Sequence, residues 1–205
     1  MSTDGETPPP SAERHPALGP AQLKALAHPL RVQILDLLST HGALTASRLA
    51  DLVGESSGST SYHLRQLARH GFVREVAGRG TARERWWERP PGGFTVSMPD
   101  DETEDTAATL AGAMVSREFE NARARKIQAF LERSSELPTR WLDGARLTTA
   151  SMWLTAEQMV EVADAWDALD ATLHRFQGQE QTPGARPVQI HFNVFPTIDG
   201  KENPS

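Results

Sequence analysis

The 205-residue chain has no cysteine, so disulfides, cysteine-ligated zinc sites, thiol redox switches and cysteine nucleophiles are all excluded. No apolar run approaches the roughly 18 residues that cross a bilayer, and the amino terminus has no apolar signal core. We therefore expect a cytoplasmic protein without membrane contact. Gly-x-Ser-x-Gly, phosphate-loop and His-Glu-x-x-His motifs are also missing, so no motif supports an enzyme.

Positive charge is scarce overall but concentrated in one region. The net charge is −6, yet residues 21–89 hold ten Lys or Arg against six Asp or Glu, and residues 90–205 hold ten against eighteen. A basic module of +4 joined to an acidic region of −8 favours a binding domain linked to a partner or sensing region.

Residues 1–19 are rich in proline and polar residues, and this composition predicts a disordered tail. From Pro20 onward, leucines and isoleucine recur at three- and four-residue spacings up to Leu38. His28-Pro29 interrupts this pattern, because proline removes a backbone donor and restricts the residue before it. The segment therefore predicts two helices with a sharp joint, the second ending at Gly42.

Two short helices are predicted next. Thr45 caps the first, which ends at Gly54, and Ser56–Gly71 forms the second. At about 100° per residue, Thr60, Leu64 and Leu67 share one narrow edge of this second helix. The remaining surface is hydroxyl-rich and basic and carries no carboxylate, which suits contact with bases and phosphates. The outward set is Ser59, Tyr62, Gln66 and Arg69, with Gly58 and Arg65 beside it.

A β-hairpin is predicted after this helix, with strands at 72–76 and 81–88 and a basic turn, Ala77–Gly80, between them. A hairpin with this many arginines, next to a helix-turn-helix, favours contact with an anionic partner. The residues expected to contact DNA are Ser57, Ser59, Thr60, Ser61, Tyr62, His63, Arg65, Gln66 and Arg69 on the helix, and Arg79, Arg83 and Arg85 on the hairpin.

Residues 20–90 closely resemble the winged helix-turn-helix domain of ArsR-type bacterial transcription regulators. The resemblance rests on the ALAHPLR entry, on Ser61, His63, Leu64 and Leu67 in fixed order, on the HGFV exit and on the Gly/Arg wing. It implies a dimer whose recognition helices enter successive major grooves while the wings touch the flanking backbone. Metal-sensing members of that family use cysteines on the preceding helix. Here that helix reads SRLADLVG, so the resemblance leaves the inducer open.

Residues 91–103 read as a linker, with Thr103 as a helix cap, and residues 104–136 predict one long helix. Its apolar seam needs a partner surface. We expect a second copy of the chain to cover that seam, with packing inside the chain as the alternative.

The last third predicts a strand at 147–154, a helix opened by a capping box at Thr155–Gln158, and a strand at 188–194. Two strands alone are unstable, so they should pack on the helix that contains Trp166 or join a partner's sheet. Residues 197–205 are expected to be a disordered tail.

Two ligand hypotheses concern this last third. His174 and His191, with Asp167 and Asp170, are the best candidates for a metal site, but histidines on a helix usually form a polar face, and no metal or cofactor is assigned. Trp141, Trp153 and Trp166 are the candidates for an aromatic effector pocket, although tryptophans at such spacing are more often core.

The sequence thus predicts a mostly α protein with a small β component. A winged helix-turn-helix domain at 20–90 precedes a dimerisation module at 104–196. The predicted function is a homodimeric repressor that binds an inverted-repeat operator in double-stranded DNA. The alternatives are a regulator whose effector binds the carboxy-terminal module, and a winged-helix protein-interaction module without DNA binding.

Overall fold

The computed structural model describes residues 17–81, 84–94, 96, 106–176 and 183–200. The predicted cap at Thr103, most of the 1–19 tail and the last five residues lie outside these ranges. Within them the chain is mostly helical, with one three-stranded antiparallel sheet, as predicted. None of the described helices combines the length and hydropathy that crossing a membrane requires.

The first two helices meet at the predicted joint. Helix α1 spans Pro20–Leu26 and helix α2 spans Pro29–His41. His28 is the N-cap of α2, where its ring Nδ1 accepts the Leu30 N–H at 3.2 Å. Pro29 follows in the first turn, where its missing N–H costs nothing. Gly42 ends α2 with a positive φ of 74°, which glycine adopts without strain.

The helix-turn-helix consists of α3 (Ala46–Val53) and α4 (Ser57–Arg69). Thr45 Oγ1 caps α3 by accepting the Arg48 N–H at 3.2 Å, as predicted. Gly54 ends α3 in the left-handed region. Ser56 Oγ then caps α4 by accepting the Ser59 N–H at 3.1 Å. Local sequence signals therefore fix both ends of the turn that precedes α4.

The sheet has the order β1-β3-β2, with β1 at Leu44–Thr45, β2 at Arg74–Thr81 and β3 at Glu84–Glu88. The prediction that residues 77–80 form the hairpin turn is wrong, because these residues belong to β2. The register slips between Glu75 and Gly80, so the glycines there form a bulge instead of the turn. The sequence pattern also missed β1, which pairs with β3 through Leu44 and Trp87.

One apolar core joins the helix-turn-helix, the sheet and the long helix that follows. Leu18 is buried in this core, so the predicted tail is too long at its carboxy-terminal end. The segment predicted as a linker is also anchored. Phe94 contacts Phe72 and Phe119 edge-on, with ring centroids 5.7 and 5.4 Å apart. The buried members of the core are Leu18, Ala25, Leu26, Leu30, Ile34, Leu35, Leu38, Leu49, Leu64, Leu67, Phe72, Val73, Trp87 and Val115.

Helix α5 spans Thr106–Arg133 and confirms the predicted long helix. Its buried face packs on α1 and α2 of the same chain, and Val115 is 0% exposed there. Lys126 reinforces this contact by donating to the Asp36 carboxylate and, at 3.2 Å, to Thr40 Oγ1. Packing inside the chain, the alternative kept above, therefore covers one side of α5.

The carboxy-terminal module contains a short helix α6 (Thr139–Leu142) and helix α7 (Ala156–Leu173). The predicted capping box is present, since Gln158 N–H donates to Thr155 Oγ1 at 3.3 Å and Thr155 N–H donates to Gln158 Oε1 at 3.0 Å. The expected strands at 147–154 and 188–194 do not form in the described structure. A strand needs a hydrogen-bonded neighbour, and neither segment is paired within the described chain. No residue of α7 is buried.

We predict that Phe94→Ala lowers the free energy of unfolding by about 1–3 kcal/mol, because it removes the ring between the helix-turn-helix core and α5. Phe195→Ala is the matched control, since Phe195 is 71% exposed and should cost less than about 0.5 kcal/mol. Chemical denaturation of both variants measures the difference. Equal losses would show that Phe94 does not anchor its segment.

Candidate nucleic-acid interface

The predicted apolar edge of helix α4 anchors the helix in the core. Thr60, Leu64 and Leu67 are all fully buried, and the Thr60 hydroxyl donates to the Ser56 carbonyl at 3.1 Å. The helix therefore turns its opposite side to solvent. Tyr62 is 50% exposed on that side, and Ser57, Gly58, Arg65 and Arg69 are exposed with it. Ser59, Ser61 and Gln66 are half-buried.

Two residues predicted to contact DNA lie on the wrong side of α4 for that role. Thr60 is in the core, as its place on the apolar edge already implied, and His63 is 8% exposed. The resemblance placed His63 in the motif but did not say which way its side chain points. Its burial follows from a 100° step per residue, which sets it beside Thr60 and Leu67. Neither side chain can reach a groove without leaving the core.

His63 is instead part of a polar cluster with the α1–α2 joint. The Arg31 Nε donates to His63 Nδ1 at 3.2 Å, and the His28 ring lies 4.5 Å from the His63 ring. Burial lowers the pKa of His63, and electrostatic interactions with His28 and Arg31 lower it further, whereas Glu55 opposes them. Composition and periodicity did not single out Arg31, although it stands in the HPLR motif quoted above.

The arginines of the β-hairpin wing make different kinds of contact. Arg79 stacks over the Trp86 ring, with its guanidinium carbon 3.7 Å from the ring centroid. Arg85 pairs with Glu75 at 3.4 Å, and Arg74 pairs with Glu88 at 2.7 Å. These pairs are largely exposed and therefore weak, so an incoming phosphate can replace the carboxylate. Arg83 lies outside the described residues.

Arg89 also belongs to the basic hairpin but faces inward. Its Nη1 donates to Ser39 Oγ at 2.9 Å, and its guanidinium lies 5.4 Å from the Phe94 ring. Burial lowers the pKa of Arg89, and the charge of Asp36 opposes that change. Arg89 therefore ties the end of β3 to α2 and is not available to DNA.

The ligand hypotheses for the carboxy-terminal module gain no support from the described geometry. The charged groups that act on His191 are Arg123, Glu120 and Lys126 of α5 and Asp36 of α2, and not the acids of α7. The side chain of His174 lies outside the described part. In the described ranges no group of three or more His, Asp or Glu side chains could hold a metal ion.

The candidate tryptophans do not line the two surface depressions of the described residues. Trp166 stacks on Phe192, with centroids 4.7 Å apart and planes 3° from parallel. Two surface depressions are described, one along Ala124–Glu132 of α5 and one between Leu18, His70 and Phe94. Neither is lined by a tryptophan.

A helix-turn-helix with a basic outer face, followed by a β-hairpin wing, defines the class of winged helix-turn-helix domains. Comparison with known proteins agrees with this class, because residues 26–76 match the model of a helix-turn-helix domain. No curated protein matches the chain. The helix-turn-helix match supports a DNA-binding transcription regulator.

Several solved structures are similar to parts of the chain. Reduced HlyU from Vibrio cholerae is 25% identical and covers 47% of this chain and 83% of its own, with a TM-score of 0.30. Adhesin competence repressor from Streptococcus pyogenes is 16% identical, covering 69% of this chain and 78% of its own, with a TM-score of 0.31. YusO from Bacillus subtilis is 15% identical, covering 73% and 79%, with a TM-score of 0.32.

We predict that Gly80→Ala destabilises the wing more than Gly78→Ala does. Both glycines have positive φ, which costs an alanine about 1–2 kcal/mol. Only at Gly80 would the new Cβ also meet a backbone atom, the Glu84 carbonyl oxygen, at 2.1 Å, whereas Gly78 has open space. Unfolding free energies of the two variants provide the measurement, and equal values would contradict the bulge geometry.

Proposed function

We propose that the protein is a homodimeric transcription repressor of the ArsR type that binds an inverted-repeat operator. The observation that carries the proposal is the outer face of α4. It presents exposed hydroxyls, Tyr62 and two arginines with no carboxylate along the helix, and its buried edge fixes the direction of that face. Such a face can lie in a major groove, where Arg65 and Gln66 read base edges and the serines bind phosphate or bases.

The wing supplies the second contact. Arg79 is held against Trp86, so its guanidinium has lost much of its freedom before DNA arrives. Arg85 joins it on β3 of the same hairpin. Phosphate contacts of this kind carry no base information and position the protein along the duplex. Repression then follows from exclusion of polymerase at the operator.

Dimerisation is supported by a second apolar face of α5. At about 100° per residue, Leu110, Ile127 and Leu131 lie on the side away from Val115 and Ala122, and Met114 lies at the margin of that side. All four are more than a third exposed, whereas Val115 and Ala122 are buried. A second copy of the chain would cover this face. Two domains in one rigid dimer match two half-sites about one helical turn apart.

The carboxy-terminal module fits the same dimer. Its helix α7 has no buried residue, and the two segments expected as strands lack a pairing partner among the described residues. Exposed side chains there include Met152, Trp153 and Ile190. Pairing with the second copy would bury them and complete the predicted sheet.

We predict that replacing Arg79 and Arg83 together by Ala weakens binding to all duplex sequences alike. Each lost phosphate contact should reduce the slope of log affinity against log salt by about 0.9. Titrations of labelled duplexes at several salt concentrations measure this slope, and Arg89→Ala serves as the control because Arg89 faces α2. A changed base preference at full affinity would make the wing a base reader. Salt-insensitive binding by the unaltered protein would instead favour the protein-interaction alternative.

We predict that Leu110→Lys combined with Leu131→Lys converts a dimer into a monomer. Two buried ammonium groups would face their counterparts across the proposed interface. Solution mass by light scattering tests this, with Leu52→Lys on α3 as a control at an equally apolar but unrelated position. The monomer should lose about 10²–10⁴ in affinity for an inverted repeat but little for a half-site. A monomeric unaltered protein would overturn the dimer.

A further inference from the structure

Arg31 joins three helices of the DNA-binding domain. It belongs to α2, its Nη1 donates to the Ala25 carbonyl near the end of α1, and its Nε donates to His63 Nδ1 on α4 at 3.2 Å. Each of these partners is at least half-buried. One guanidinium therefore connects the outward-facing helix to the α1–α2 joint.

The direction of this hydrogen bond fixes the protonation state of His63. Arginine has donors only and stays charged, so His63 Nδ1 must offer a lone pair. The imidazole is then neutral and carries its proton on Nε2. A protonated His63 would place an N–H against the Arg31 N–H and a second positive charge beside the guanidinium. The bond cannot survive that change.

Most of the groups around His63 also lower its pKa and so favour the neutral ring. His28 faces His63 from the α1–α2 joint, Arg31 faces it from α2, and Glu55 faces it from the turn between α3 and α4. On α4 itself, Tyr62 touches the His63 ring edge-on at 5.3 Å. Burial, His28 and Arg31 all lower the pKa of His63, and Glu55 alone raises it.

Tyr62 connects this cluster to the outer face. It is exposed on the proposed DNA-contacting side, and its ring rests against the buried ring of His63. A change in His63 therefore displaces an outward side chain directly, besides loosening α4 from the joint.

We propose that Arg31 and neutral His63 are positioning residues that hold α4 in the orientation needed to bind DNA, and that protonation of His63 releases it. This inference rests on the proposed function. Because the folded pKa lies below the ordinary value near 6.5, the contact is fully present above that value. It is lost as the pH falls through the lowered pKa of His63. DNA affinity should fall in the same window.

Simple electrostatics predicts the opposite trend. Exposed histidines in general gain positive charge in acid, which strengthens binding to a polyanion. A loss of affinity in acid therefore distinguishes the Arg31–His63 contact from a general charge effect.

The first measurement uses the full-length protein without DNA. NMR titration of the histidine rings should show His63 neutral with its proton on Nε2 at pH 7.5. The amide protection factors of α4, corrected for the intrinsic exchange rate at each pH, should fall as His63 becomes protonated. A His63 that titrates at or above its ordinary pKa, or whose protonation leaves these protection factors unchanged, would overturn the proposal.

The second measurement uses a labelled duplex selected from a random-sequence pool by the unaltered protein at pH 7.5. We expect affinity to fall about tenfold between pH 7.5 and a pH below the lowered pKa of His63 found by NMR, at constant ionic strength, because one charge-assisted hydrogen bond is lost. His63→Asn places an oxygen acceptor near the former Nδ1 and cannot titrate, so it should keep most of the affinity and lose the acid response. His63→Gln places its acceptor farther out and should bind weakly at both pH values.

The matched control is His41→Asn, which exchanges the same residue types at an exposed position of α2 and should keep the acid response. Arg31→Ala should remove that response, with thermal unfolding of every variant recorded to separate misfolding from misorientation. An acid response that persists in His63→Asn would overturn the proposal. If the unaltered protein selects no duplex while NMR shows the His63 behaviour above, DNA binding fails as the function and the positioning role for DNA fails with it.

Discussion

The burial of one edge of α4 is the constraint on which the rest of the structure depends. Thr60, Leu64 and Leu67 enter the core completely, and this leaves the helix one possible direction for its polar side. The same core includes Val115 of α5 and Phe72 after the recognition helix. The direction of the surface that we propose contacts DNA is therefore set by packing behind it and not by the polar residues themselves.

Polar side-chain contacts to α2 then fix the angles between elements that the apolar core alone does not determine. Arg31 joins α1 and α4, Lys126 joins α5 to Asp36, and Arg89 joins the end of β3 to Ser39. Each contact ends on α2 or begins there. Because directional bonds fix an angle better than apolar contacts do, α2 acts as the frame against which the recognition helix, the wing and the long helix are oriented.

The carboxy-terminal module differs from the helix-turn-helix domain in how little of it is buried. Its helix is well capped and amphipathic, yet none of its side chains is buried, and its two apolar extended segments are unpaired in the described chain. Exposed apolar surface on this scale commonly marks an interaction site. The single chain therefore contains one continuous apolar core and one module that we propose is completed by a second copy.

The sequence by itself determined the elements whose signals are local: the His28-Pro29 joint, the Thr45 cap, the apolar edge of α4, the long α5 and the Thr155 capping box. Each depends on residues within one or two turns. Only the tertiary structure decided that Gly78 and Gly80 form a bulge, that Phe94 anchors its segment, and that α5 packs within the chain. It also decided that Arg31 is the hydrogen-bond partner of His63, because partner choice depends on residues far apart in sequence, which no local pattern specifies.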